Sequence, residues 1–487
     1  MTGQLRLTLV EDGATPLSRQ VYEQLRDLIL AGELAPGTRL PASRRLAADY
    51  SLARVTVSAA YEQLQAEGYV AARVGAGTYV AEDLPLDTSE VNGTYSPALS
   101  NWGQRVAITG RRTPEVSPAS RPAIDFGFGR SFPHIFPYDI WRRLLARYLS
   151  TDDTMLSRYG SAAGFNPLRE AVADYIGRLR GVRCTARQVV IVSGMQQALD
   201  ILARLLLNQG DEILVETPGY KGAFDLFRTF GARLRPLAVD DEGFPVERIP
   251  HDSQARFAFV TPSNQFPRGG TMPLGRRLAL LRWAQANDAL VFEDDYDGEL
   301  RYSSQPVAAL QGLDRAGRVV YLGTFSKVLF PALRLGYVVL PPALLPAFLQ
   351  AKELVDRGAP TLTQAAVADF IAEGHFERHL RRLRREYGQR RHILAQALEE
   401  QLAGQVRFSA VEAGLHVMLL LAPGYDEQRV VREAAAAGVG VYPGAPYHLD
   451  RPAEASILLG FSGLSEDEIM VGVAKLAAVV RGQASRI

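Results

Sequence analysis

Cysteine and lysine are scarce in this chain of 487 residues. The single cysteine, Cys184, excludes an internal disulfide and a metal site built from several cysteines. Lysine occurs at only four positions, Lys221, Lys327, Lys352 and Lys475, although lysine and arginine together number 54. Almost every cation is therefore a guanidinium, which stays protonated and cannot act as a nucleophile. A position that keeps an amine is a candidate for amine chemistry.

A charge excess and long apolar runs are also missing. The formal net charge is +1, so the overall composition predicts neither nucleic acid nor membrane as a partner, and any DNA contact must come from a local patch. No apolar run approaches the roughly 20 residues of a membrane-spanning helix, and acids stand where a secretory signal has its apolar core. We therefore expect a cytoplasmic protein without membrane contact. An apolar content of 47% suits two or three domains.

The N-terminal region has the pattern of a winged helix-turn-helix. Apolar residues recur at helical spacing in PLSRQVYEQLRDLILAGEL (16–34), and two further helices are predicted over 44–50 and 55–68 with a short turn between them. The run YVAARVGAGTYVA (69–81) predicts a β-hairpin, the wing. We assign residues 1–82 to a DNA-binding domain.

Several arginines of this domain are placed for DNA contact. In a helix-turn-helix the second helix reads base edges with its N-terminal residues, while neighbouring residues contact phosphates. Charge alone favours an ordinary solvated face, since residues 1–80 hold 8 arginines and 8 acids, but five of those arginines lie between Arg39 and Arg73 against three acids. The predicted DNA-contacting residues are Arg44, Arg45, Arg54, Thr56, Arg73, Gly77 and Thr78.

The composition changes after the hairpin. Residues 83–122 are rich in Pro, Ser, Thr and Gly without sustained periodicity, which predicts a linker between two separately folding bodies. From residue 123 to 487, short apolar strands alternate with helices, which indicates an α/β fold with a mostly parallel sheet and helices on both faces. Longer helices and further strands from about residue 340 onward predict a smaller α+β lobe of this effector domain.

Lys327 stands in GTFSKVLFPALRLGY (323–337), an apolar and hydroxyl-bearing segment at the end of a predicted strand. A desolvated lysine amine loses its proton and condenses with an aldehyde, which a guanidinium cannot do. The alternative is an ordinary surface lysine, and the lysine alone leaves that alternative open. An aldehyde cofactor with a phosphate and a pyridine ring also needs a phosphate cradle, an acid at the ring nitrogen and a flat side chain over the ring.

Residues suited to these tasks follow the carboxyl ends of successive predicted strands, the edge at which such sheets bind ligands. Each is a weak signal alone, and their order along the chain favours a common site. A helix N-terminus after the strand VVIV would present free N–H groups to phosphate. The predicted phosphate contacts are Gly194, Met195, Gln196, Thr324, Ser326 and Arg334. The predicted ring contacts are Asp294 at the nitrogen, Tyr296 at the hydroxyl and Tyr220 on the face.

These segments resemble two known families. The segment 16–81 resembles the winged-helix module of the GntR family of bacterial regulators nearly end to end. The rest resembles the aspartate-aminotransferase-like proteins of fold type I, which use pyridoxal 5′-phosphate, in motifs such as YGSAAGFNPLREAVADY (159–175), TPSNQFPRG (261–269) and FEDDYDGEL (292–300). Joined in one chain, the two parts resemble the MocR subfamily of GntR regulators, the GabR- and PdxR-like proteins.

The resemblance implies specific roles. It makes Lys327 the Schiff-base lysine, Asp294 the partner of the ring nitrogen and Tyr296 the partner of the ring hydroxyl. Tyr159 matches a tyrosine that reaches the phosphate of the neighbouring subunit, which implies a homodimer. Dimers of the family are head-to-tail with swapped DNA-binding modules, and the long linker suits that arrangement.

Two departures from the enzymes of this fold bear on function. Phe266 replaces the Asn of an Asn-Pro motif, so a bond to the ring hydroxyl is lost unless Asn264 or Gln265 supplies it. Leu458, in ILLGFSG (457–463), stands where many of these enzymes have the arginine that clamps the substrate carboxylate.

The missing arginine weighs against an active aminotransferase carrying a DNA-binding module, although Arg130 and Arg381 are candidates for an unusual clamp. We therefore predict a transcription regulator that depends on pyridoxal 5′-phosphate, binds promoter DNA and has at most a residual half-transamination. Its small-molecule effector is either the cofactor itself, with control of vitamin B6 synthesis, or an amino compound. The alternatives are an active aminotransferase and a GabR-like regulator that senses an amino acid, and the absent clamp mildly favours the cofactor over an amino acid.

Overall fold

The computed structural model describes residues 5–10, 15–73, 75–84, 97–109, 122–132, 134–149, 154–302, 307–408 and 413–484. The chain divides into two compact units, Met1–Ala98 and Leu99–Ile487. None of the helices within the described ranges has the length and apolarity needed to cross a lipid bilayer.

The first unit is a three-helix module with a hairpin, as the apolar spacing predicts. Its elements are α1 Leu17–Leu30, α2 Ser43–Asp49, α3 Arg54–Ala66, β1 Val70–Arg73 and β2 Gly77–Val80. The two strands pair antiparallel, so the predicted wing is confirmed. Buried side chains of α1 and α3, among them Leu25 and Val57, form one apolar core with residues of α2 and the hairpin. That core leaves the charged faces of α2 and α3 to solvent.

The second unit alternates helices and strands along the chain. Its helices are α4 Asn101–Thr109, α5 Tyr138–Leu149, α6 Asn166–Arg180, α7 Met195–Leu206, α8 Lys221–Thr229, α9 Leu274–Ala286, α10 Leu345–Asp356, α11 Thr361–Ala372, α12 His375–Leu402, α13 Glu427–Ala436 and α14 Glu466–Ala484. Its strands are β3 Ile124–Asp125, β4 Val189–Val192, β5 Glu212–Thr217, β6 Arg233–Ala238, β7 Phe257–Val260, β8 Leu290–Asp295, β9 Val319–Thr324, β10 Gly336–Val339, β11 Val406–Arg407, β12 His416–Leu421, β13 Val439–Gly440, β14 Tyr442–Pro443 and β15 Ser456–Gly460.

A seven-stranded sheet forms the centre of this unit, with strand order β4-β10-β9-β8-β7-β5-β6. Strand β10 pairs antiparallel with β4 and β9, and the pairs from β9 through β8, β7 and β5 to β6 are parallel. The expected mostly parallel sheet is therefore confirmed. Strands such as β4, β7 and β9 are buried along their whole length because helices cover both faces of a sheet of this kind. Neighbouring β8 and β9 end side by side, and they carry Asp294 and the segment before Lys327 to one edge.

A second, antiparallel sheet has the order β11-β12-β15-β14 and packs with α12, α13 and α14 as a smaller lobe. The structure differs from the boundary expected near residue 340. Helix α10 packs against α7, and α11 packs against α5 and α6, so both belong with the large sheet. The chain also enters the small lobe early, because β3 pairs with β13. This pairing joins segments that are far apart in sequence, and a local sequence pattern cannot predict it.

The predicted linker, residues 83–122, contains an ordered helix that its composition does not show. Helix α4 packs on the second unit, with Trp102 6.4 Å from Phe230 between ring centroids and Arg204 5.6 Å from the Trp102 ring. The guanidinium of Arg105 donates to the carbonyl of Thr229 at 2.7 Å. A helix of this length with one anchoring aromatic residue has too little apolar periodicity to predict from sequence. Residues 85–96 and 110–121 of the predicted linker lie outside the described residues.

Candidate functional site

The predicted DNA-contacting residues of α2 and α3 lie on an exposed surface of the first unit. Arg44, Arg45 and Arg54 are all exposed, and Thr56 is half-buried. Val55, between the two predicted base-reading positions, is 73% exposed. The nearest acid to Arg45 is Asp49, at 3.9 Å, so this guanidinium keeps most of its hydrogen-bonding capacity. Helix α3 therefore opens with side chains that project into solvent.

The wing places a further arginine beside a glycine turn. Arg73 is exposed, lies 4.7 Å from the centroid of the Tyr79 ring and forms an ion pair with Glu82 at 2.8 Å. Gly77 has φ of 116°, and a Cβ there would come within 3.1 Å of Arg39 Nε. The position thus needs glycine for both backbone conformation and space. Thr78 follows it in β2, half-buried and paired with Ala72.

Lys327 is half-buried at the edge of the large sheet. Its Nζ lies 4.2 Å from the centroid of the Phe128 ring, and a Cβ on Gly129 would lie 2.9 Å from this atom. Burial lowers the pKa of the Lys327 amine, and the carboxylates of Asp297 and Asp294 oppose that shift. A lowered pKa favours the unprotonated, nucleophilic form of the amine.

The other three lysines are held by partners. Lys352 is fully buried, with Nζ 2.7 Å from Asp356 Oδ2. Lys221 forms an ion pair with Asp225, and Lys475 donates to the carbonyl of Ala437 at 3.2 Å. Lys327 differs from them because its amine lies against an aromatic ring and interacts with two acids only electrostatically.

Asp294 lies close enough to Lys327 to influence its pKa. Its carboxyl is buried, and Oδ1 has no hydrogen-bond partner among the described residues. Burial, with the nearby acids Asp295 and Glu216, raises the pKa of Asp294 to about 8. A buried oxygen without a partner costs free energy unless a ligand donates to it, so this atom points to a bound donor.

Arg334 lies beside the start of α7, where Gly194 and Met195 stand. Gly194 has φ of 107°, and a Cβ there would come within 3.0 Å of Arg334 Nη2. Arg334 itself has φ of 48°, a conformation that few side-chain-bearing residues adopt outside functional sites. Ser326 Oγ is buried without a partner among the described residues, while its N–H donates to Thr324 Oγ1 at 3.1 Å. Met195 begins the helix, so its N–H is one of the free N-terminal donors.

The side chain of Gln196 bonds to Tyr220 and Gly222, whereas the predicted phosphate contact of Gln196 is its backbone N–H. Its Oε1 accepts from the Tyr220 hydroxyl at 3.2 Å, and its Nε2 donates to the carbonyl of Gly222 at 3.0 Å. The amide therefore holds Tyr220 in place, and only the backbone of Gln196 faces the predicted phosphate position. Tyr220 lies between the two halves of the site, since Asp294 raises its pKa and Arg334 lowers it, with burial as the main cause of a pKa of about 12.

Asn264 bonds to Tyr296, the residue predicted to contact the ring hydroxyl. Its Nδ2 donates to the Tyr296 hydroxyl at 3.1 Å and to Asp297 Oδ2 at 2.8 Å. Gln265 is used elsewhere, because its amide donates to the carbonyls of Pro218 and Phe266. Of the two substitutes considered from sequence, the structure therefore brings only Asn264 to Tyr296.

Sequence reasoning missed the aromatic side of the pocket. Phe128, Phe266 and His416 pack against one another with ring centroids 4.8 to 5.2 Å apart. Tyr447 joins them at 5.3 Å from Phe266. His416 is a single polar residue in the apolar strand GLHVMLLL, which is the one signal that could have found it. Phe128 lies in a glycine-rich segment without periodicity, and its sequence gives no signal.

Tyr159 is not brought into this cluster within the described chain. It is 85% exposed and lines a separate cavity of about 290 Å³ with Arg158, Arg169 and Thr361. Such exposure of a large aromatic side chain is compatible with contact to another copy of the chain, which the sequence expectation requires.

The carboxylate clamp is absent from its usual place. Leu458 is buried in β15, opposite Met418 in β12. Of the substitutes considered from sequence, Arg130 forms an ion pair with Asp125, whose other oxygen accepts from Tyr442 at 2.7 Å. Arg381 is exposed on α12. Neither arginine replaces the clamp in the described structure.

Comparison with known proteins accounts for both units. Residues 17–80 match the gntR family of bacterial regulatory proteins, and residues 134–476 match the class I and II aminotransferases. The chain therefore belongs to the GntR regulators that carry an aminotransferase class I and II domain, the MocR type. It is a transcriptional regulator by family, and the predicted fold class is confirmed.

Individual relatives share this two-part organisation over nearly their whole length. The chain is 39% identical to the probable rhizopine catabolism regulatory protein MocR of Rhizobium meliloti over 477 residues, or 96% of this chain and 95% of that protein. It is 30% identical to the pyridoxine biosynthesis transcriptional regulator PdxR of Corynebacterium glutamicum, covering 99% of both chains. The structure of the α-aminoadipate aminotransferase LysN of Thermus thermophilus, complexed with N-(5′-phosphopyridoxyl)-L-leucine, matches with a TM-score of 0.70 and 31% identity over 75% of this chain and 93% of that chain.

Proposed function

We propose that this regulator binds pyridoxal 5′-phosphate covalently at Lys327 and changes its affinity for promoter DNA with the chemical state of that site. The observation that carries the proposal is the pair of the half-buried Lys327 and the buried Asp294, which lie within electrostatic reach of each other and beside unpartnered polar atoms of the described residues. The family supplies the expectation of a cofactor, and these residues supply the reason to place it here.

The residues around Lys327 fit the cofactor in three ways. Asp294 Oδ1 and Ser326 Oγ are buried acceptors or donors without partners among the described residues, at the positions expected for the ring nitrogen and the phosphate. Gly129 and Gly194 leave open space beside Lys327 Nζ and Arg334 Nη2 that any Cβ would fill. Charge also fits, because the guanidinium of Arg334 and the α7 N-terminus favour a phosphate, whereas a buried acid favours a protonated ring nitrogen.

Each residue has a defined task in this proposal. Pyridoxal 5′-phosphate supplies an aldehyde and an electron-withdrawing ring when bound. Lys327 would hold the aldehyde carbon, Asp294 would keep a proton at the ring nitrogen, and Tyr296, oriented by Asn264, would donate to the ring hydroxyl. The phosphate would be held by Arg334, Ser326 and Thr324 with the backbone N–H groups of Gly194, Met195 and Gln196. Tyr220 would cover one ring face, anchored by the Gln196 amide.

The DNA-binding residues have a separate task. We infer that α3 enters the major groove with Arg54 and Thr56 at base edges, while Arg44, Arg45 and the wing residues Arg73, Gly77 and Thr78 contact the backbone. A protein that binds promoter DNA works where bacterial DNA lies, so we place this one in the cytoplasm. A homodimer, head-to-tail with Tyr159 reaching the phosphate of the other subunit, would give the two modules the spacing of two half-sites.

The test uses full-length protein and the intergenic DNA next to its gene. Addition of pyridoxal 5′-phosphate should produce a visible absorption band and change the affinity for this DNA. Protein that stays colourless after the addition would overturn the proposal. If the cofactor itself is the signal, for control of vitamin B6 synthesis, its addition alone should suffice, without any amino compound.

Enzymatic turnover is the second candidate function, and the aminotransferase relatives give a reason to measure it. Without an arginine at Leu458 to orient a substrate carboxylate, we expect at most a single half-reaction and no sustained transfer. Continued turnover with an amino acid and a keto acid would favour the enzyme instead.

A further inference from the structure

One face of the small sheet points at the Lys327 cluster. Residues of β12 and β15 pair in register, His416 with Gly460 and Met418 with Leu458, and side chains of paired residues lie on the same face. The alternate residues of both strands, including Val417 and Leu459, belong to the apolar core on the other side.

The direction of this face follows from Gly460. A Cβ there would lie 3.0 Å from the Cα of Phe128, whose ring lies against Lys327 Nζ. His416 therefore lies beside the lysine, packed edge-on against the Phe128 ring at 4.8 Å. Met418 and Leu458 follow on the same face of the sheet, where Met418 borders a cavity with Arg268.

The unpartnered polar atoms of this space are hydrogen-bond acceptors. His416 Nε2 lies 3.2 Å from the carbonyl of Pro267, and a carbonyl only accepts, so Nε2 carries the hydrogen. Burial lowers the pKa of His416 to about 3, so the ring is neutral and Nδ1 is a bare lone pair without a partner in the described structure. Asn264 Oδ1 is a second buried acceptor of this kind, because its amide nitrogen is used by Tyr296 and Asp297.

Among the described residues, the arginines near this site already have other tasks, and Arg334 is assigned to the phosphate in the proposed function. Leu458 replaces the usual arginine, and Arg130 is paired with Asp125. Arg268, the nearest arginine on the adjoining loop, donates to the carbonyl of Val239 and pairs with Asp241. A ligand carboxylate could not hydrogen-bond to these acceptors, because it also only accepts, and it would be repelled by the acids that face Lys327.

We propose, on the basis of the proposed function, that the effector is a primary amine that carries hydroxyl groups and lacks a carboxylate. Its amine would exchange with the Lys327 amine, and its hydroxyls would donate to His416 Nδ1 and Asn264 Oδ1. Its carbon frame would pack on the aromatic wall formed by Phe128 and Phe266. A site built from unpaired acceptors discriminates strongly against a ligand that offers no donor, because those acceptors then stay buried and unsatisfied.

The experiment compares matched ligands on the full-length protein loaded with pyridoxal 5′-phosphate. The pairs are serinol with serine, and 4-aminocyclohexanol with 4-aminocyclohexanecarboxylate, each titrated while the visible band and the affinity for the promoter DNA are recorded. We expect half-saturation by each amino alcohol at a concentration at least about 10-fold lower than by its carboxylate partner. Equal or reversed affinities would overturn the inference.

Two variants test the residues themselves. His416→Phe keeps the aromatic packing and removes the acceptor, so the preference for the amino alcohol should fall by about 10-fold. Leu458→Arg introduces a guanidinium on the same face and should shift the preference toward the carboxylates. His392→Phe, at an exposed histidine of α12, is the matched control and should keep the wild-type preference. An unchanged preference in His416→Phe would contradict the assignment of His416.

The outcomes separate this inference from the function on which it rests. A wild-type protein without any visible band would overturn both. A protein that shows the band and a DNA response, but responds only to carboxylates or only to the cofactor itself, would leave the proposed function standing and refute the effector class.

Discussion

In the first unit the arginines predicted to meet DNA are exposed, whereas in the second unit the acids around Lys327, Asp294 and Asp297, are buried and Lys327 itself is half-buried. Exposed guanidinium groups keep their ordinary chemistry and can be changed one at a time with little effect on folding. Asp294 and Lys327 alter one another's pKa, so a change in one alters the chemistry of the other. The comparison teaches that DNA contact and ligand chemistry should be separable by mutation.

The largest expected effect is that of Lys327→Ala. The variant should lose the visible band with pyridoxal 5′-phosphate completely, because no other amine lies at the site, and it should still bind DNA. Absorption spectra and DNA-binding titrations measure the two properties. Lys221→Ala, at an exposed lysine paired with Asp225, is the matched control. Loss of DNA binding in the Lys327 variant alone would show that the two units are not separable.

Asp294→Asn should weaken cofactor binding by about 10- to 100-fold, since a charged hydrogen bond to the ring nitrogen is worth about 1.5–3 kcal/mol. Titration of apoprotein with pyridoxal 5′-phosphate, followed by absorbance, gives the dissociation constant. Asp288→Asn, at an aspartate that is 90% exposed, controls for the loss of one negative charge. Equal affinity in the two variants would remove Asp294 from the site.

Arg54→Ala should weaken promoter binding by about 1–3 kcal/mol and leave the absorption band intact. Arg19→Ala, at an exposed arginine of α1 that is paired with Glu23, is the control. Binding isotherms at several salt concentrations distinguish a base contact from a phosphate contact, because only loss of a phosphate contact reduces the salt slope by about 1. Unchanged affinity at every salt concentration would refute the assignment of α3 to the groove.

We expect low pH to reduce the stability of the second unit because of a buried histidine, His379. His379 Nε2 lies 2.8 Å from the carbonyl of Val328, and burial lowers the pKa of His379 to about 4. Below pH 6.5 the unfolded chain binds a proton that the folded chain does not, so stability falls with falling pH, by on the order of 2 kcal/mol at pH 5. The buried acids Glu216 and Glu293, with pKa values raised to about 7, act in the opposite direction over this range.

The contribution of His379 is therefore measured by comparing the pH dependence of unfolding between the wild type and histidine variants. His379→Gln should lose less stability than the wild type between pH 7 and pH 5 in denaturant unfolding. His392→Gln, at an exposed histidine of the same helix, should retain the wild-type pH dependence. A wild-type slope in the His379 variant would refute the role of this histidine.

The smallest expected effect is that of Trp102→Ala, on the order of 1 kcal/mol, because the ring is 40% exposed and only part of its packing on Phe230 is lost. Thermal unfolding of the second unit reports it. Ile108→Ala, at a side chain of the same helix that is 78% exposed, should change little. Equal effects would show that α4 does not anchor the linker.

Sequence predicted those features that depend on local pattern or on chain order. The winged module follows from apolar spacing, and the strand ends that carry Gly194, Asp294 and Lys327 follow from the alternation of strands and helices. Contacts between residues distant in sequence could not be predicted in this way. The pairing of β3 with β13, the approach of Phe128 to Lys327 and the use of the Gln196 amide by Tyr220 join residues distant in sequence, and each depends on packing that no local pattern contains.

The scarcity of lysine has a practical consequence for occupancy. Pyridoxal 5′-phosphate also condenses with lysine amines outside its binding site. This chain has few lysines, and one of them, Lys352, is fully buried and paired with Asp356. Borohydride would fix whatever the cofactor has attached to, and intact mass would then count pyridoxyl groups per polypeptide against almost no background. Intact mass would thus give the cofactor occupancy directly, even in a sample that contains both modified and unmodified chains.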